Sequence, residues 1–112
     1  MSEASDLYNV AEKLKDEGKY EEAIAKFLES AAANPQYALP HMALGIVYGK
    51  VNKHEEAVRH AHKACELEPE EALNYTTLSR VAVLAFTASN DEQFKILAED
   101  AMARAQMLQQ RR

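Results

Sequence analysis

The stretch GKYEEAIAKF that begins at Gly18 is written again 34 residues later as NKHEEAVRHA, beginning at Asn52. Lys19, Glu21, Glu22 and Ala23 return as Lys53, Glu55, Glu56 and Ala57, Ile24 returns as Val58, and Pro35 returns as Pro69. A fixed period of this length constrains a chain strongly. Each copy is a supersecondary unit that cannot bury its apolar face alone, so it has to stack on its neighbour.

The unit reads as two helices. Between Ala4 and Asp16, Leu7, Val10, Ala11 and Leu14 recur at helical spacing, and Gly18, which tolerates the left-handed conformation, stops that helix. A second helix from about Tyr20 carries Tyr20, Ala23, Ile24, Phe27 and Ala31 on one face. It ends where Pro35 disfavours helical geometry at Asn34. In the second copy His41, Leu44, Gly45 and Tyr48 line the first helix, which ends near Asn52. His54, Ala57, Val58, Ala61, Ala64 and Cys65 line the second. Pro69 opens the next segment, with Glu70 and Glu71 in its first turn where negative charge suits the helix dipole.

The third copy starts in phase, with Tyr75, Leu78, Ser79 and Ala82, but Asp91 stands where an alanine is due. The helical pattern instead runs on through Phe86, and Ser89 with Glu92 offers a capping box. The last helix carries Phe94, Leu97, Ala98, Ala101, Met102, Ala105 and Leu108 on one side. The spacing therefore predicts a third unit lengthened between its helices by roughly 6–10 residues.

Small residues in a first helix, an alanine and then an aromatic in a second, and a closing proline appear here as Leu7, Val10–Ala11, Gly18, Tyr20, Ala23, Phe27 and Pro35. They recur as Leu44–Gly45, Tyr48, Ala57, Ala64 and Pro69. This pattern resembles the tetratricopeptide repeat. The resemblance covers residues 1–112 as a single domain, with repeats at about 4–37, 38–71 and, extended, 72–110. It implies an all-α fold, a helix–turn–helix solenoid built as a right-handed stack of about six helices. It also implies a non-enzymatic protein–protein interaction module whose first helices line a concave groove. Two departures predict looser packing in the second repeat unless the long third unit fills the space: His41 replaces a bulky apolar residue, and Ala61 stands where Phe27 stood.

The groove is sought among first-helix positions left over once the core stripe is assigned. In the first repeat these are Ser5, Tyr8, Glu12 and Lys15. In the second they are Leu39, Met42, Ile46 and Gly49, and in the third Leu73, Thr76, Arg80 and Val83. The candidate peptide-binding residues are thus Tyr8, Glu12, Leu39, Met42, Ile46, Gly49, Leu73, Thr76, Arg80 and Val83. The middle helix holds more apolar surface than its core requires, and such patches mark contact surfaces. Met42 adds adaptability, and Gly49 would let a ligand approach the backbone. Chaperone-binding members of the family hold a partner's acidic tail with a basic and amide clamp. The matching positions, Tyr8, Glu12, Ala43, Leu73 and Thr77, hold no Lys, Arg or Asn. The expected partner is therefore a protein or peptide segment held by apolar anchors, not an acidic chaperone tail. The alternative is that the last helix or a second copy covers the stripe, which would make the chain a self-assembling, homo-oligomeric scaffold.

Composition narrows the remaining classes. With 47% hydrophobic and 28% charged residues the chain can build a core, and a net charge of −5 argues against a nucleic-acid or anionic-membrane surface. Met1 leads into SEASD, which lacks the pattern of a signal peptide, and the apolar run VAVLAF from Val81 to Phe86 is too short to span a bilayer. A single cysteine, Cys65, forms no internal disulfide, so a cytoplasmic location is expected and the sequon at Asn74 is read as coincidence. The terminal pair Arg111 and Arg112 reads as solvated. His54, His60 and His62 lie near Cys65, but residues two apart on a helix diverge and a metal site needs three or four convergent ligands. Paired glutamates near helix starts complement the dipole, and no phosphate loop or nucleophile elbow occurs. No cofactor, metal or catalytic residue is expected.

Overall fold

A computed structural model describes residues 2–111; Met1, at the start of the segment read against a signal peptide, and Arg112, half of the terminal arginine pair, lie outside the described residues. The described chain forms six helices: α1 (Glu3–Asp16), α2 (Tyr20–Ala33), α3 (Ala38–Lys50), α4 (His54–Leu67), α5 (Ala72–Ser89) and α6 (Glu92–Gln110). They pack as antiparallel pairs, α1 with α2, α3 with α4 and α5 with α6, and each pair docks on the next through α2–α3 and α4–α5. The first helices make an inner row in which α3 touches both α1 and α5. Among the described residues helices α2, α4 and α6 make an outer row whose backbones do not approach one another closely.

One residue per pair reverses the chain. Gly18 has φ 79°, and Asn52 at the equivalent place has φ 65°. At both, the amide beyond the cap reaches back a full turn. Lys19 N–H donates to the Leu14 carbonyl at 2.9 Å, and Lys53 N–H to the Tyr48 carbonyl at 2.9 Å. This double-bonded Schellman closure satisfies carbonyls that the helix leaves unpaired. The third pair uses Asn90 (φ 59°), whose N–H donates to the Phe86 carbonyl at 2.7 Å.

That cap corrects the predicted capping box. Because Asn90 carries α5 through Ser89, the Ser89 hydroxyl donates back to the Ala85 carbonyl at 2.8 Å, and Asp91 becomes the N-cap of α6. The Asp91 carboxylate accepts from Gln93 N–H at 3.0 Å. A second correction lies at the start of α5. The helix begins at Ala72, so Glu71 is its N-cap, accepting from Leu73 N–H at 3.4 Å, and Glu70 stands outside it beside Arg111. The pairs Glu21–Glu22 and Glu55–Glu56 do lie in first turns.

The core has two connected halves. Ala11, Ala23, Phe27, Leu44 and Val47 are fully buried in the first, while Ala57, Ala61, Leu78, Val81 and Ala101 build the second. The half-buried Tyr48 packs against both. Two residues assigned to the core stripe lie outside it: Val10 is half exposed on α1, which has only α2 and α3 as neighbours, and Met102 is exposed on α6.

The second repeat is not loose where Ala61 replaces an aromatic. A Cβ added to Gly45 would stand 3.1 Å from the Ala61 Cβ and 3.2 Å from the Ala57 carbonyl oxygen. At this crossing helices α3 and α4 approach so closely that no ring fits beside Gly45, and small residues on both sides are the packing solution there. In the last pair the Ser79 hydroxyl, in the place of Gly45, donates to the Ala98 carbonyl at 2.9 Å. Ala98 thus stands in the place of Ala57, seven residues beyond position 91, where the period predicts an alanine. Buried polar side chains elsewhere also bond carbonyls of neighbouring helices, Ser30 to Ala4 at 2.7 Å and Asn74 to Ala64 at 3.2 Å. Each satisfies a donor that would otherwise be costly to bury.

Candidate functional site

Helices α1, α3 and α5 lie side by side, and their spare faces hold the groove candidates. On α3, Leu39 is 42% exposed, with Met42 and Ile46 half-buried one and two turns along the same face. On α5, Leu73 is 55% exposed, Thr76 is half-buried with its hydroxyl donated to the Ala72 carbonyl at 3.3 Å, and Arg80 is exposed. The stripe on α3 is not covered by α6, which makes no close backbone approach to α3 among the described residues. Exposed leucines on two adjacent helices, with adaptable or β-branched neighbours between them, make a surface suited to apolar contact.

The other candidates divide. Tyr8 is a packing residue as much as a surface one. Its ring lies 5.6 Å from Phe27 and 5.8 Å from Tyr37 between centroids, and burial, aided by the Glu12 carboxylate, pushes its hydroxyl up to about 12. Glu12 is ion-paired to Lys15 at 3.1 Å, so this end of the inner row is polar and internally satisfied. Val83 turns toward α6, sharing a shallow recess with Ser79, Ala98 and Met102. Gly49 needs correction. It is buried, and a Cβ there would lie 3.8 Å from Leu84 and 4.0 Å from Val81, so α5 and not a ligand occupies the space beside it. Ala43 and Thr77, two of the positions compared with the clamp, are buried as well.

The histidines are arranged differently from their order in sequence. His60 does not join His62; it reaches α3, where its Nδ1 lies 3.0 Å from Nδ1 of His41, with the rings stacked at 5.3 Å. Tyr48 stacks on the other side of His60 at 5.5 Å. This three-ring column, absent from a reading that took each helix alone, occupies the half-buried space between α3 and α4. Burial lowers the pKa of both imidazoles. His60, which also faces His41 and Arg59, is brought down to about 4. His62 is paired with Glu66 at 3.8 Å on the outer row. Among the described residues no three His, Cys, Asp or Glu side chains are placed to hold a metal ion. Cys65 is buried and its thiol is pushed up to about 11 by that burial and by Glu66, which makes it a poor nucleophile. No described helix is long and apolar enough to cross a membrane.

Residues 11–52 match the family model described as TPR repeat. No curated protein matches the chain. Solved structures match along most of its length. The second TPR of Spaghetti (RPAP3), bound to the HSP90 peptide SRMEEVD, has a TM-score of 0.81 at 21% identity over 94% of this chain and 91% of that one. MamA gives a TM-score of 0.84 at 17% identity, covering 98% of this chain and 60% of that one. The CopN-Scc3 complex gives 0.78 at 15%, covering 94% and 58%. At such identities the likeness is one of fold, and the chain spans about three fifths of the latter two. The repeat match over residues 11–52, with the six-helix architecture shared along nearly the whole chain, shows an all-α helical solenoid with the fold of these TPR structures.

Proposed function

We propose that this chain is a non-enzymatic protein–protein interaction module that holds an extended or helical partner segment against α3 and α5 through apolar contacts. The observation that carries the reading is the exposure of Leu39 and Leu73 on adjacent inner helices, beside Met42 and Ile46 and uncovered by α6. Structural relatives captured with the HSP90 peptide or as the CopN-Scc3 complex support a protein as the ligand class. The positions compared with the carboxylate clamp hold Tyr8, Glu12, Ala43, Leu73 and Thr77, which favours side-chain anchors over capture of an acidic tail. The test is capture of partners from the source lysate on wild type and on a Met42→Asp, Ile46→Asp double variant. A protein retained by wild type and lost from a variant with unchanged helical circular dichroism supports the groove. Equal retention on both baits overturns it.

Self-association is the second reading, favoured by apolar side chains left exposed on the end helices, Val10 on α1 and Ile96 and Met107 on α6. Sedimentation at high micromolar concentration separates the two. A monomer there removes the scaffold reading, and a concentration-dependent series of masses favours it.

A further inference from the structure

Helices α4 and α6 both pack on α5 with no close backbone approach to each other among the described residues, and between them lies a cleft on the outer row with a volume of about 400 Å³. It lies apart from the inner stripe of Leu39, Met42 and Ile46, none of which lines it. Its floor is apolar: Cys65, Leu78 and Ala101 are buried, and Leu97 and Tyr75 are half-buried beside them. A recess of this size falls within the range of built ligand sites and accommodates a large side chain.

The charged side chains of the lining are net negative, Glu66 and Asp100 against Arg104. Glu66 stands on the α4 wall of the cleft and Asp100 on its α6 wall. Asp100 makes no ion pair among the described residues, and Glu66 has only the imidazole of His62, at 3.8 Å, which is charged only when protonated. The one arginine of the lining, Arg104, lies over the Tyr75 ring at 5.7 Å from its centroid, a cation–π contact. Beyond Pro69 the acidic edge continues through the exposed Glu68.

We propose that this outer cleft is a second docking site, and that its occupant is a partner segment inserting one aromatic or large aliphatic side chain beside a lysine or arginine that lies between Glu66 and Asp100. The apolar floor supplies the anchor pocket, and the two carboxylates select the basic neighbour, steering encounter and rejecting acidic segments. The site is independent of the inner groove, so either can fail without the other.

The protein contains no tryptophan, so the emission of a tryptophan-bearing probe is seen without background. The probe is a short synthetic peptide with one Trp flanked by lysines. Its two controls carry glutamates in place of the lysines and alanine in place of the Trp. The expected result is a saturable blue shift with the lysine peptide alone, accompanied by NMR shifts at the Leu78 and Leu97 methyls. A Glu66→Lys, Asp100→Lys variant, altered only at exposed positions, should bind that peptide at least about fivefold more weakly. Shifts at the Met42 and Ile46 methyls in place of Leu78 and Leu97 would overturn the proposal. So would equal binding of the glutamate peptide, unchanged affinity in the charge-reversed variant, or no saturation at millimolar peptide.

Discussion

His41 and His60 meet through like atoms, Nδ1 to Nδ1 at 3.0 Å, so one ring donates and the other must be neutral to accept. Lys63 faces His41, Arg59 and Glu56 face His60, and Glu21 of α2 with Lys53 borders the far side of Tyr48. Burial lowers both histidine pKa values in the folded state, so the unfolded chain binds more protons as pH falls below 6.5. Stability is therefore fully present above about 6.5 and is lost progressively towards about 4. With solvent screening of these half-buried rings allowed for, the loss should be about 1–2 kcal/mol. Urea midpoints at pH 7 and 4.5 measure it. His60→Phe, which keeps the stack and removes the proton, should flatten that part of the profile; an unchanged slope would assign the pH dependence elsewhere.

Two glycines of α3 should respond in opposite directions. At Gly45 any large side chain collides with Ala61 and the Ala57 carbonyl, so Gly45→Leu should destabilise the fold by about 3 kcal/mol or more. At Gly49 an added methyl meets Leu84 and Val81 at ordinary contact distance, and Gly49→Ala should gain about 0.5–1 kcal/mol from helix propensity. Thermal melts of the two variants beside wild type decide the matter.

Ala57 is fully buried, with its carbonyl oxygen against Gly45. Ala57→Glu drives a carboxylate into that contact without a partner and should cost about 3–5 kcal/mol. Wild-type thermal unfolding in this variant would contradict the close approach of α3 and α4.

Gly18 has open space around the position of a Cβ, so Gly18→Ala isolates the cost of its positive φ. The expected loss is about 1 kcal/mol, and Asn52→Gly should gain a smaller amount at the equivalent cap. Chemical denaturation of both variants tests whether the chain reversals are set by backbone conformation.

The repeat, the helix ends at Gly18 and Asn52, and the tight small residues Ala11, Ala23, Gly45 and Ala57 were legible because each follows from local chemistry at a fixed period. Val10 was misplaced for a physical reason: periodicity shows which residues share a face but not whether another helix covers it. Ser89 and Asp91 are both competent caps two residues apart, and the left-handed Asn90 between them decides which is used. Gly49 read as a gap in a surface because the approach of α5 is a tertiary fact. The His41–His60–Tyr48 column joins residues 19 and 12 positions apart, and nothing in single-helix spacing announces it. The outer cleft depends on where α6 settles after the lengthening, a register the period no longer specifies.

Among the described helices the close backbone approaches run between neighbours, and those of α6 are to α5. Disruption of the array then has no reason to be all-or-none. Opening should start at the ends and move inward like a zip, with amides of α6 exchanging with solvent sooner than those of α3, whose faces are gripped by α1, α2, α4 and α5. The surface offered by α3 thus belongs to the last part of the molecule to come apart, so a frayed end leaves the centre able to keep its shape.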